Sequence, residues 1–337
     1  MVVILIINMQ LERAMNNDKI SQWVAAGLFS IILSGCGSES QTIVDDVPDA
    51  ENLLFTDDGR LFVSGGSNVF EIVKKPDGSF IKLDTFHGDC TVEGIIVRDN
   101  YLYGVCNNLS SPDFLKSFLI GGEIVPMDSA ITNSSTDGMH PSMTLTTLSP
   151  LADVQIANGM EVDDEGNLYF SDSGDSRIFK IILSDPTTVA DLQVWADNFE
   201  YFANGIKWVG DRLYTTAMKS GTITAQFGYI ERQPDGSGGD FVPVYERKST
   251  VLDDFLPTAN GFLLTDYLKG SLVYLQDNKV VAETPKDTFY SPTAVIIGQP
   301  PMFSNDVVLV TEKGIIFEQN SMQGNKLGLY QLPWSPN

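Results

Sequence analysis

The chain has 337 residues, 43% of them apolar, and a mean hydropathy of zero, so it can bury a full core and reads as neither a disordered chain nor an integral membrane protein. Its 44 acidic against 21 basic residues give a formal charge of −23. That balance repels phosphate backbones, and no basic stripe with interleaved aromatics is present, so nucleic-acid binding is excluded and divalent cations are favoured.

Residues 23–34 form an apolar run of twelve after Lys19. A membrane span needs about 20 residues, so the run suits the apolar region of a signal peptide. The tetrapeptide Leu33-Ser34-Gly35-Cys36 resembles the bacterial lipobox, in which the cysteine becomes the lipidated first residue of the mature protein. Met1, Met9 and Met15 leave the start open, and Met15 gives the most typical signal length. The resemblance implies a lipoprotein signal peptide over 1–36 and acyl chains on Cys36, which at about 0.8 kcal/mol per buried CH₂ anchor the protein permanently. Gly37, where Asp would hold a lipoprotein back, points to the periplasmic face of the outer membrane or the cell surface. Residues 37–48, polar and acidic, then read as a tether, with the membrane touched through lipid alone.

Beyond Cys36 the cysteines are Cys90 and Cys106. They flank a hairpin expected over 94–105 with its turn at Arg98-Asp99-Asn100. An exported protein meets an oxidising compartment, so either a disulfide or two buried thiols fits, register deciding between them.

From residue 49 onward one pattern recurs: a polar residue, an apolar strand, an acidic or Gly turn, and a strand ending in Ser or Thr. It is clearest around Glu51 to Ser64 and Asn158 to Ser171, and it returns from Asn204 to Thr216, from Asp253 to Thr265, and more loosely from Ser291 to Thr311. These Ser/Thr positions stand 107, 45, 49 and 46 residues apart, so the first gap holds a further unit, starting at Glu93 and running through Tyr101 to Cys106. That unit carries a long insertion over 110–150. Six such units without a long helical period predict an all-β, six-bladed β-propeller over 49–337, closed by pairing residues 41–47 with 327–332. The acidic turns Asp57-Asp58-Gly59 and Asp163-Asp164-Glu165-Gly166 lack the twelve-residue spacing of a calcium loop and read as solvated hairpin turns.

In a propeller the innermost strands all begin near one mouth of the central channel. Their first polar residues, Glu51, Glu93, Asn158, Asn204, Asp253 and Ser291, therefore form an expected ring in which every member offers oxygen. The motifs Asn158-Gly159, Asn204-Gly205-Ile206-Lys207-Trp208, the Asp253 start and Ser291-Pro292-Thr293-Ala294-Val295 resemble the senescence-marker-protein/gluconolactonase group, which is related to paraoxonases, diisopropylfluorophosphatase and strictosidine synthase-like propellers. The resemblance implies a catalytic Ca²⁺ held by Glu51, Asn158, Asn204 and Asp253. The chemistry agrees, since calcium takes six to eight oxygen ligands and two carboxylates neutralise it.

Two histidines, His87 and His140, are too few and wrongly spaced for zinc, and neither a nucleophile elbow nor a phosphate loop is present. The expectation is a calcium-dependent lactonase or esterase acting on a small molecule, with Asp253 as general base or nucleophile and Glu93, Asn107 and Tyr214 lining the mouth. Asp254, where gluconolactonases have Gly, and the 110–150 insertion as a cover keep a second expectation open: a monomeric, non-catalytic lipoprotein that binds a ligand or protein partner and uses calcium structurally.

Overall fold

Runs rich in Val, Ile, Leu and aromatic residues, punctuated by Asp and Gly turns, form antiparallel strands throughout the computed structural model, which describes residues 40–86, 88–108, 116–125, 143–197, 201–314 and 324–336. After β1 (Gln41–Val44), blade one comprises β2 (Ala50–Phe55), β3 (Leu61–Gly65), β4 (Asn68–Lys74) and β5 (Phe80–Asp84). Blade two comprises β6 (Thr91–Arg98), β7 (Tyr101–Asn108), β8 (Lys116–Glu123) and β9 (Thr146–Leu151). Blade three follows as β10 (Ala157–Val162), β11 (Leu168–Asp172), β12 (Arg177–Asp185) and β13 (Thr188–Ala196). Blade four is β14 (Tyr201–Val209), β15 (Arg212–Lys219), β16 (Thr224–Arg232) and β17 (Gly238–Lys248). Blade five is β18 (Leu252–Pro257), β19 (Phe262–Asp266), β20 (Ser271–Gln276) and β21 (Lys279–Glu283), and blade six is β22 (Pro292–Ile297), β23 (Val307–Glu312) and β24 (Lys326–Gln331). The fourth strand of blade six is β1, so the six four-stranded sheets make a six-bladed β-propeller whose ring is closed by its own N-terminal strand.

The expected closure holds: within the stretch also read as a tether, Gln41–Val44 joins blade six, where Gln41 pairs with Leu329 and Val44 with Leu327. Blade two's expected insertion contains β8 and β9, the blade's third and fourth strands. The long connections on either side of β8 hid it from a reading based on even spacing; residues 109–115 and 126–142 lie outside the described residues, as do the segment read as a signal peptide, Cys36, His87 and His140. No helix among the described residues is long and apolar enough to cross a membrane.

The core is divided among the seams between blades. Leu53, Val63, Leu309 and Leu327 meet where blades one and six join, Phe62, Val92 and Ile120 between one and two, and Leu119, Met160 and Phe179 between two and three. Tyr169, Ile206 and Leu213 fill the next seam, Phe227, Phe255 and Leu264 the one after, and Leu263, Val308 and Tyr330 the last. The hairpin of β6 and β7 brings Cys90 and Cys106 together as a disulfide with Cα atoms 5.5 Å apart.

Every innermost strand has a register irregularity at the same place, after Ala50, Val92, Ala157, Ala203, Leu252 and Pro292. Such bulges re-aim side chains, here toward the channel axis. A belt of hydroxyls fixes them. The second bulge residue donates its amide to a Ser or Thr of the adjacent strand: Asn52 to Ser64, Gly159 to Ser171, Gly205 to Thr216 and Asp254 to Thr265, each at 3.0 Å, and Ala294 to Thr311 at 2.9 Å. The same hydroxyls donate onward to the first bulge carbonyl of the next blade, Ser64 to Glu93 and Ser171 to Asn204 at 2.6 Å, Thr216 to Asp253, Thr265 to Thr293 at 2.9 Å, and Thr311 to Glu51 at 3.1 Å. The Ser/Thr residues that mark the repeat thus stitch neighbouring blades together around the axis.

Glycine after the ring residue has a steric reason. A Cβ on Gly94 would lie 2.3 Å from the Asn158 carbonyl oxygen, and one on Gly159 would lie 2.5 Å from that of Asn204. Gly159→Ala should therefore force blades three and four apart and lower the unfolding free energy by about 1–3 kcal/mol, the usual range for overpacking. Urea unfolding followed by tryptophan fluorescence measures this; an unchanged midpoint would show that the close approach does not matter.

Candidate functional site

At the bulges, Glu51, Glu93, Asn158, Asn204 and Asp253 occupy equivalent positions, and all five are at most 8% exposed. The sixth member of the ring is Thr293 and not Ser291. Bulge register places Thr293 between Pro292 and Val295, whereas Ser291 is a turn residue with φ of 51° whose carbonyl accepts the Lys313 amide. Matching the Ser-Pro pair to the other strand starts put the sequence reading two residues out of phase. Thr293 turns its hydroxyl to the Ala50 carbonyl at 2.9 Å, away from ligand duty.

Lys313, immediately after β23, is the principal residue that sequence reasoning missed. Its ammonium donates to Glu51 Oε2 and lies 4.0 Å from Glu93 Oε2, with the side chain only 6% exposed. Neither Glu93 oxygen has a hydrogen-bond partner, nor does Asn158 Nδ2. The Asn204 amide donates to Asp253 Oδ1. Burial, reinforced by the charge on Glu51 and opposed by Lys313, pushes Glu93 up to about 8. Burial and Glu51 also raise Asp253 well above the usual carboxylate range. Tyr267, buried beyond the end of β19, feels Lys313, Asp253 and Glu51, and desolvation holds its phenol protonated.

A second polar layer lies one residue along the strands. Asn52 donates to Asp254 Oδ2 at 3.1 Å, and Lys207 Nζ is 3.8 Å from the same oxygen. Asp254 thus turns to Asn52 and Lys207, and Gly205 makes room for it, since a Cβ there would sit 2.2 Å from Asp254 Oδ1. Burial raises Glu161 in this layer, with Lys207 opposing.

Two residues expected at the mouth are committed elsewhere. Asn107 is 1% exposed and bridges blades two and three: its Nδ2 donates to the Ala157 carbonyl at 2.7 Å, and its Oδ1 accepts the Ala157 amide at 3.0 Å and the Ser117 hydroxyl at 2.7 Å. It replaces the hydroxyl stitch that blade two lacks, where Val105 holds the Ser/Thr position. Tyr214 pairs with Lys207, near the far end of β14, and packs on Phe262 at 4.6 Å and Phe227 at 5.6 Å in the seam between blades four and five. The Asp163 turn is also less solvated than expected. Asp163 is 7% exposed; burial alone would raise its carboxyl, but hydrogen bonds from the Asn167 side chain and amide and from the Tyr169 hydroxyl keep it below the usual range.

Whether the ring suits a divalent cation can be judged from these groups. Among the described residues no three His, Cys, Asp or Glu side chains already converge as a cation cage. In the ring the Lys313 ammonium contacts Glu51, and the Asn204 amide nitrogen faces Asp253. The donor chemistry nevertheless fits a hard cation, with carboxylate and amide oxygens, two unpartnered Glu93 oxygens, and three carboxylates against one ammonium. A divalent cation would let all three carboxyls ionise in the buried ring, since its charge offsets the two that Lys313 leaves uncompensated.

No family model matches the sequence, and no curated protein matches it. Solved structures do. The PQQ-bound aldose sugar dehydrogenase of Streptomyces coelicolor is 13% identical with a TM-score of 0.56, covering 86% of this chain and 97% of that one. A gluconolactonase of Xanthomonas campestris is 16% identical with a TM-score of 0.55, covering 87% and 88%. Virginiamycin B lyase of Staphylococcus aureus is 11% identical with a TM-score of 0.51, covering 87% and 97%. At these identities the likeness establishes the propeller fold, which this chain shares with proteins of differing chemistry.

Proposed function

We propose that the chain is a calcium-dependent hydrolase of the lactonase or esterase kind, an exported monomer anchored to the outer membrane through lipidated Cys36. The observation that carries the reading is the buried axial ring in which the carboxyl groups of Glu51, Glu93 and Asp253 outnumber the single Lys313 ammonium by two. Glu51, Asn158, Asn204 and Asp253 would hold the ion. The bound calcium would supply a Lewis acid for the carbonyl oxygen of a small cyclic or aryl ester. Asp253, oriented by the Asn204 amide, would accept the proton of the attacking water as a general base. The Cys90–Cys106 disulfide agrees with an oxidising compartment, and the Leu33-Ser34-Gly35-Cys36 sequence supports the anchor.

With calcium added, the purified mature protein is expected to hydrolyse at least one member of a panel of lactones and aryl esters, and Asp253→Asn to lower kcat by about 10²-fold or more, as for a lost general base. Absence of turnover across the panel, together with no effect of Asp253→Asn on calcium binding, would overturn the proposal. A second reading has its own observation: Glu93 and Asp253 are only 0% and 3% exposed, a nearly sealed ring. Calcium binding without turnover would favour this one, a propeller that binds a ligand or partner on its surface and uses the ion as a clip.

A further inference from the structure

Lys313 and Glu93 are best understood together. The four groups proposed to hold calcium carry two negative charges, and adding one acid and one base leaves that balance unaltered. The added pair is placed so that the base can change partners. The Lys313 ammonium contacts Glu51 and stands 4.0 Å from Glu93, whose two oxygens are buried and receive no hydrogen bond. A buried ammonium cannot be left without a carboxylate, since an uncompensated charge in such a place is strongly unfavourable. An incoming cation that took Glu51 alone would strand Lys313; with Glu93 beside it, the ammonium has a second carboxylate within reach and need not enter water.

We infer that Lys313 is a built-in competitor of the axial cation, neutralising Glu51 while the ion is absent and passing to Glu93 when the ion binds. This rests on the calcium reading above and deepens it. The pair then sets the affinity of the site: Lys313 weakens cation binding by holding Glu51, and Glu93 limits that weakening by offering the ammonium another place. The Lys313 backbone is fixed separately, by its amide on the Ser291 carbonyl.

The test is a double-mutant cycle on the full mature protein, with calcium titrated calorimetrically at fixed pH and no substrate present. Lys313→Met is expected to tighten calcium binding about tenfold or more, and Glu93→Gln to weaken it by a similar factor. In the Lys313→Met background Glu93→Gln should have a much smaller effect, because no ammonium then needs the second carboxylate. Lys313→Arg, which keeps the charge, should retain weak binding, and circular dichroism of each variant shows that it is folded. Should Lys313→Met misfold, Lys313→Gln takes its place in the cycle. If all variants bind calcium and the two substitutions act additively, or if removing the charge does not tighten binding, the role of Lys313 falls while the calcium site stands. If neither the parent nor the charge-removed variants bind calcium, both readings fall.

Discussion

Stripped of divalent cations with a chelator, the protein should lose stability as the pH rises from about 4.5 to about 8, and Glu93→Gln should remove the share of that loss that belongs to Glu93. Burial is the main reason Glu93 sits near 8, with Glu51 and Asp49 pushing the same way and Lys313 opposing them. Asp253 is raised by burial and by Glu51, Asp254 and Glu93, and Lys313 again opposes. Both carboxyls therefore hold protons in the folded ring that the unfolded chain gives up. Below the ordinary value of 4.5 the two states bind Glu93's proton equally and its contribution is fully present. Between there and about 8 only the folded state keeps it, so stability falls throughout that window. A shift of this size corresponds to several kcal/mol, at about 1.4 kcal/mol per pH unit. Gln keeps the shape and cannot ionise, so the Glu93→Gln profile should be flatter and higher at pH 8. Urea unfolding at a series of pH values with chelator present measures it; parallel profiles for parent and variant would contradict the electrostatic account of the ring. Calcium restored at pH 8 should recover stability in the parent by giving the ionised carboxylates a partner.

How far the sequence revealed this architecture depended on what repeats. Turns such as Asp57-Asp58-Gly59 recur because a hairpin needs a positive φ where Gly59 and Gly166 supply 83° and 81°, and this periodicity exposes the blades. Glu51, Glu93, Asn158, Asn204 and Asp253 were legible for the same reason, each opening an innermost strand. Pairing of residues 41–47 with 327–332 was legible because the last blade lacked a strand. Lys313 was not, because it follows the second strand of its blade, where the other blades place nothing alike; only the fold carries it to Glu51. Asn107 looked like a mouth residue because strand β7 emerges there, yet Val105 in the belt position leaves a stitch that Asn107 has to make. Thr293 was passed over because Ser291-Pro292 imitates a polar strand start, and the bulge that defines true equivalence is invisible without register.

Closure of the ring by β1 leads to the other large expected effect. A chain beginning at Ser40 should unfold at the same urea concentration as one beginning at Gly37, whereas one beginning at Asp49 should lose about 5 kcal/mol or fail to fold, against a typical total of 5–15 kcal/mol. Removing residues 40–48 strips β24 of one of its two antiparallel partners and makes β24 the edge strand of blade six. It also takes Val44 and Val47, 7% and 0% exposed, out of the seam between blades one and six, at about 1.5–3 kcal/mol for each side chain buried. The Val47 amide bond to the Asn325 carbonyl and the Ser40 hydroxyl bond to Glu312 go with them. Beyond these contacts, the strand ties the start of the chain to its end within one sheet, so that opening the ring requires breaking that sheet and not merely parting a seam. Added back as a separate peptide, residues 40–48 should recover only part of the loss, because the covalent link holds the strand at a high effective concentration that millimolar peptide does not match. Equal stability of the two truncated chains would mean that the contacts of blades one and six hold the ring shut without the strand.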